Sequence, residues 1–122
     1  MLTTIPTFSD IKRAHQRISP YILQTPVLTS KNIDDIAGCH LFFKCENFQK
    51  VGAFKMRGAS NAIFSYRPED REKGFACHSS GNHGQAVALA SKLAGSKAYI
   101  IMPENSSKVK MAAVESYGAE VV

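Results

Sequence analysis

The chain is short of cysteine, proline, glycine and long apolar runs, and each shortage excludes something. Its three cysteines, Cys39, Cys45 and Cys77, form no C-x-x-C pair and no even-numbered framework. That argues against a disulfide-stapled fold and against zinc or another metal, and predicts free, mostly buried thiols in a reducing compartment. No apolar stretch approaches the ~18 residues of a membrane-spanning helix. The opening M-L-T-T-I-P-T-F-S-D has neither the basic start nor the apolar run of a signal peptide. No membrane partner is expected, and the chain reads as cytoplasmic and soluble. Five Pro, eight Gly and 44% hydrophobic residues, without repeats or low-complexity segments, favour a globular fold over disorder. There is no block of like charge either. The 15 Lys+Arg and 10 Asp+Glu give +5 but are spread along the sequence, so a nucleic-acid partner is not expected. At 122 residues the chain has the size of one small domain with a modest core.

The pattern of apolar residues and stop signals divides the chain. Ser9 is placed to cap a helix with Ile11, Ala14, His15 and Ile18 on one face, closed by Pro20. Ser30 is placed to cap a short helix that stops at Gly38, and H-L-F-F-K-C then reads as a strand. F-Q-K-V-G-A-F is a loop leading into a helix that runs to about Tyr66, followed by a polar connection, R-P-E-D-R-E-K-G. Beyond it the order becomes strand (G-F-A-C-H), turn and helix, strand (K-A-Y-I-I-M), helix ending at Gly118, and strand (A-E-V-V). Such a βαβαβ alternation predicts an α/β fold with an open parallel sheet, flanking helices and right-handed crossovers. The expected division is residues 1–73 and residues 74–122. A parallel sheet is normally covered on both faces, and the chain stops inside its last apolar strand, so the sequence reads as truncated.

Two places break local rules or carry chemistry. In K-V-G-A-F-K-M-R-G-A, Lys55 and Arg57 fall at a helix start, where the positive end of the macrodipole disfavours cations. A nearby anion or a chemical role would resolve the conflict. A lysine becomes a nucleophile or Schiff-base former when its neutral amine is accessible, and the helix start and Arg57 would both favour that state. Phe54 supplies an apolar wall. The bland alternative is a solvated surface lysine, the common fate of lysines taken singly. The second place is S-S-G-N-H-G, residues 79–84, where a strand turns into a helix. Free backbone N–H groups there suit an anion, and Ser80, Asn82 and His83 add directed hydrogen bonding. An ordinary capped helix accounts for S-G-N equally well. A dinucleotide loop is a further alternative: Gly81 and Gly84 match, and Glu104 stands at a suitable distance for a ribose-binding acid, but the first glycine of G-x-G-x-x-G is missing. Together, a lysine on one loop–helix junction and an anion-binding turn on another meet the needs of a Schiff-base cofactor site.

K-C-E-N-F-Q-K-V-G-A-F-K-M-R-G-A, S-S-G-N-H-G-Q-A and Y-I-I-M-P-E resemble the serine racemase and threonine/serine dehydratase group of fold-type II pyridoxal-phosphate enzymes, over essentially the whole chain as the N-terminal part of a longer enzyme. The resemblance implies a tryptophan-synthase-β-like fold and pyridoxal 5'-phosphate as cofactor. Lys55 would be the Schiff-base lysine and the base that removes the Cα proton. Phe54 would pack beside the cofactor ring, and Asn82 would hydrogen-bond the ring's 3-hydroxyl oxygen. Ser79, Gly81 and His83 would hold the substrate carboxylate, and Ser80 would be the acid/base on the opposite face. The implied substrate is a small β-hydroxy amino acid, deaminated to a 2-oxo acid and ammonia or racemised.

The resemblance has departures. Many relatives carry T-G-S-F-K before the lysine, whereas Val51 and Ala53 replace both hydroxyl residues here. The V-G-A-F-K form is similar to the fungal branch active on 3-hydroxyaspartate, and it points away from the nucleotide-effector site of animal racemases. The family's glycine-rich phosphate loop, its residue facing the pyridine nitrogen and its metal ligands would all follow Val122, so weak cofactor binding by the short chain is expected. A family-like homodimer is expected only of a full-length chain. The competing expectation is a non-catalytic fragment that associates through its last strand.

Overall fold

A computed structural model describes residues 5–122. Helix α1 (Phe8–Ile18) starts at Thr7, not at the expected Ser9. Thr7 and Asp10 form a reciprocal capping box: the Thr7 hydroxyl accepts from Asp10 N while the Asp10 carboxylate accepts from Thr7 N. This satisfies orphan donors at both positions, which a lone serine inside the first turn does not do. Strand β1 (Val27–Leu28) pairs antiparallel with β2 (Phe43–Lys44), and α2 (Lys31–Ala37) lies between them. Ser30 occupies the cap position of α2, but its side chain makes no cap bond; Gly38 closes the helix in the left-handed region at φ 68°. The expected H-L-F-F-K-C strand shortens to two residues, because β1 is equally short.

Two 3-10 turns, Glu46–Phe48 and Lys50–Gly52, lead into α3 (Lys55–Ser65). The polar connection after it contains one short helix, α4 (Pro68–Arg71). Then come β3 (Phe75–His78), α5 (Asn82–Leu93), β4 (Ala98–Ile101), α6 (Lys108–Ser116) and β5 (Glu120–Val121). The sheet order is β3-β4-β5, all parallel, as the βαβαβ alternation predicts.

Helix α5 joins the two halves of the sequence. It packs on β3, β4 and α6 on one side and on α3 on the other, and α3 carries α1 in turn. One cluster of buried residues therefore runs through both halves: Met56, Ala59 and Ile63 from α3, Ala86, Val87 and Ala90 from α5, Ile100 from β4 and Val114 from α6. Small alanines on α5 let its neighbours approach closely, while burying Met56, Ile63 or Ile100 contributes about 1.5–3 kcal/mol each. Along β4 the alternation is visible: Ala98 and Ile100 are buried, whereas Ile101 on the other face is exposed. Among the described residues the sheet is thus covered on one face, and β3 and β5 form its edges. None of the cysteines is fully buried, contrary to expectation: Cys39 is exposed and Cys45 and Cys77 are half-buried, all with free thiols. Burial still pushes the Cys77 thiol up from its ordinary range. No described helix is long and apolar enough to cross a membrane, and no described cluster of His, Cys, Asp or Glu could hold a metal.

Candidate active site

Lys55 is the first residue of α3, and that first turn contains no acidic residue and no side-chain cap. The rule-breaking placement read from the sequence is therefore real in three dimensions. Lys55 is exposed, and among the described residues its amine makes no hydrogen bond or ion pair. Its nitrogen lies 5.0 Å from the centre of the Phe54 ring, which is itself 60% exposed. Phe54 thus lies beside the Lys55 amine with its ring largely open to solvent.

Arg57 does something the sequence did not suggest. Its guanidinium forks onto Glu46, with Nε 2.8 Å from Oε2 and Nη2 2.7 Å from Oε1. Glu46 also accepts from the Thr25 hydroxyl at 2.5 Å. The Arg57 hydrogen bonds, aided by Thr25, hold the Glu46 carboxyl at about 2, well below its ordinary value, against the opposing effect of burial. Arg57 is therefore not a free cation acting on Lys55, and its charge is already matched. Nothing in local sequence marks this pair, since its members are separated by a bend and two 3-10 turns.

The second junction begins where β3 ends. Gly81 is the cap residue of α5, in an extended conformation with no side-chain cap, and the Ser79 hydroxyl accepts from Gly81 N at 3.3 Å. Ser80, Asn82 and His83 are exposed and, among the described residues, their side chains have no hydrogen-bond partner. The first intrahelical donor is Gln85 N, bonded to Gly81 O, so the N–H groups of residues 82–84 project from the helix start unpaired, as such ends require. A Cβ on Gly81 would meet nothing within 4 Å, whereas one on Gly84 would lie 2.9 Å from both Ile100 Cγ2 and Ser79 O. The space beside Gly81 is open, and Gly84 lets α5 sit tightly on β4.

The two junctions lie on helices that pack against each other, and the Lys50–Gly52 turn before Lys55 also packs on α5. No hydrogen bond links Lys55 to residues 79–83 among those described. A cavity of about 460 Å³ lined by His15, Leu23, Lys44 and Arg57, among others, includes none of the expected site residues. The donor set fits a pyridoxal-phosphate cofactor and an amino-acid carboxylate: an uncommitted amine beside an aromatic ring, and a helix start with open N–H groups and unpartnered Ser, Asn and His side chains.

The chain belongs to the family of pyridoxal-phosphate dependent enzymes, which it matches over residues 18–122. It is 56% identical over 115 residues to serine racemase of Dictyostelium discoideum, covering 94% of this chain and 36% of that protein. It is 48% identical over 118 residues to L-threo-3-hydroxyaspartate ammonia-lyase of Saccharomyces cerevisiae, covering 97% of this chain and 36% of that one. The crystal structure of serine racemase from Dictyostelium discoideum superposes with a TM-score of 0.92 at 55% identity, covering 95% of this chain and 38% of the other. The fold is accordingly that of fold-type II pyridoxal-phosphate enzymes, and the chain spans 36% of the length of these curated relatives.

Proposed function

We propose that this chain carries the lysine and the carboxylate-binding turn of a pyridoxal-phosphate enzyme acting on a small β-hydroxy amino acid, by elimination to a 2-oxo acid and ammonia or by racemisation. The observation that supports it most is the uncommitted Lys55 amine at the start of α3, over Phe54, on a helix packed against the one that the 79–83 turn begins. In this reading Lys55 would hold the cofactor through its amine and would serve as the base for the Cα proton. Asn82 would hydrogen-bond the ring's 3-hydroxyl oxygen, and Phe54 would pack beside the ring. Ser79, Gly81 and His83, with the free N–H groups of α5, orient the substrate carboxylate. Ser80 delivers a proton to the opposite face. The cofactor's contribution when bound is to delocalise the electron pair left at Cα. A 3-hydroxyaspartate-like substrate fits the Val51 and Ala53 variation, the division at residues 73 and 74 belongs to the full-length architecture, and the location is cytoplasmic.

In a version extended to the length of its relatives, supplied with pyridoxal phosphate and a β-hydroxy amino acid, 2-oxo acid release should depend on Lys55, and Ser80→Ala should abolish D-isomer formation while sparing elimination. Turnover that survives Lys55→Ala refutes the reading. A second reading, a non-catalytic associating module, draws on exposed Val27, Leu28, Ile36 and Phe42 and on the unpaired strand edges. It predicts no turnover together with a larger-than-monomer size on gel filtration.

A further inference from the structure

Residues 50–56 present Lys55 through a strained turn. Val51 has φ 58° and ψ 15°, a left-handed conformation that β-branched residues rarely adopt, and Gly52 follows at φ 65°. Such a conformation persists when its surroundings over-determine it. Here both flanks of the turn are tied to the same stretch of chain, residues 21–25, through the backbone of Tyr21 and Leu23 and the hydroxyl of Thr25. On the leading side the buried Gln49 amide accepts from Leu23 N and donates to Leu23 O, both at 2.8 Å, and Lys50 Nζ donates to Tyr21 O at 2.6 Å. On the trailing side Arg57 is forked onto Glu46, which also accepts from Thr25, and Arg57 Nη2 approaches Leu23 O at 3.5 Å.

We propose that Gln49 on one side and the Glu46–Arg57 pair on the other form a two-sided clamp that positions the Lys55 turn. These are positioning residues, acting through the backbone of residues 50–56 rather than on substrate or cofactor. A charge-assisted fork holds direction as well as distance, so a lysine at position 57 would keep the charge but lose the orientation. Glu46→Gln would keep the shape and lose the charge. The proposal rests on Lys55 being the cofactor lysine, and its test separates the two ideas.

The experiment is amide hydrogen exchange on the whole chain, unaltered and with Arg57→Lys or Glu46→Gln, alongside borohydride trapping of pyridoxal phosphate and peptide mapping. The bonds that close the turn are Gly52 N to Gln49 O at 2.8 Å and Met56 N to Ala53 O at 3.3 Å. Exchange at these amides should rise about tenfold or more while α5 and β4 keep their rates, and the share of label on Lys55 should fall. Unchanged exchange at residues 50–57, or equal acceleration throughout the chain, overturns the clamp even if Lys55 is labelled. Absence of selective Lys55 label in a version extended to the length of its relatives overturns the functional reading instead.

Discussion

Replacing Gly84 by alanine sets two effects of known size against each other. Gly84 lies in the first turn of α5, where alanine would gain about 1 kcal/mol of helix propensity. Against that, the new Cβ would stand 2.9 Å from Ile100 Cγ2, 2.9 Å from Ser79 O and 3.5 Å from Ser79 Cβ, where carbon contacts settle at about 3.5–4.0 Å. Neither obstacle gives way easily. Ile100 is fully buried on the central strand, and Ser79 O is backbone at the foot of the turn. Overpacking of this kind costs about 1–3 kcal/mol, leaving a net loss of up to about 2 kcal/mol as α5 lifts from β4. Because α5 carries the 79–83 turn, the displacement should also weaken carboxylate binding. Urea unfolding of Gly84→Ala should show a lower midpoint at unchanged slope. Gly81→Ala serves as the control: no atom lies within 4 Å of its Cβ, so stability should change by less than about 1 kcal/mol. A Gly84→Ala chain clearly more stable than the original would refute the close approach of α5 to β4.

Ser60 and Ser91 are fully buried, with hydroxyls that find no partner among the described residues. Ser60→Ala removes an unsatisfied group and improves helix propensity, so the urea midpoint should hold or rise by up to about 1 kcal/mol in stability; a clear loss would reveal a hydrogen bond not seen here. Acid unfolding should report Glu46. Its folded carboxyl sits at about 2, below the ordinary 4.5, so its stabilisation is complete above pH 4.5 and disappears as pH falls through about 2. Glu46→Gln should flatten that limb of the stability curve, and an unchanged acid limb would contradict the depressed carboxyl.

Much of this was legible in the sequence where the signal is local. Gly38 and Gly118 mark helix ends because a left-handed residue there costs glycine nothing. The βαβαβ alternation gives the parallel sheet, since short connections leave little other topology. Lys55 and residues 79–83 stand out because each violates or exploits a helix-start rule. Helix α1 is capped two residues before Ser9 because T-F-S-D is a complete capping box, with Thr7 at the cap and Asp10 three residues on. The Glu46–Arg57 fork and the Gln49–Leu23 clamp could not be read at all, because they join residues that only folding brings together. At Val51 the sequence shows a missing hydroxyl but not the left-handed backbone, which depends on those same long-range contacts.

The central claim is that Lys55 is the cofactor lysine. Incubating a version extended to the length of its relatives with pyridoxal phosphate, reducing with borohydride and mapping the labelled peptide measures this directly. The account predicts label concentrated on the peptide containing Lys55 and lost in Lys55→Ala. Label spread evenly over the exposed lysines, with no preference for Lys55, would contradict it.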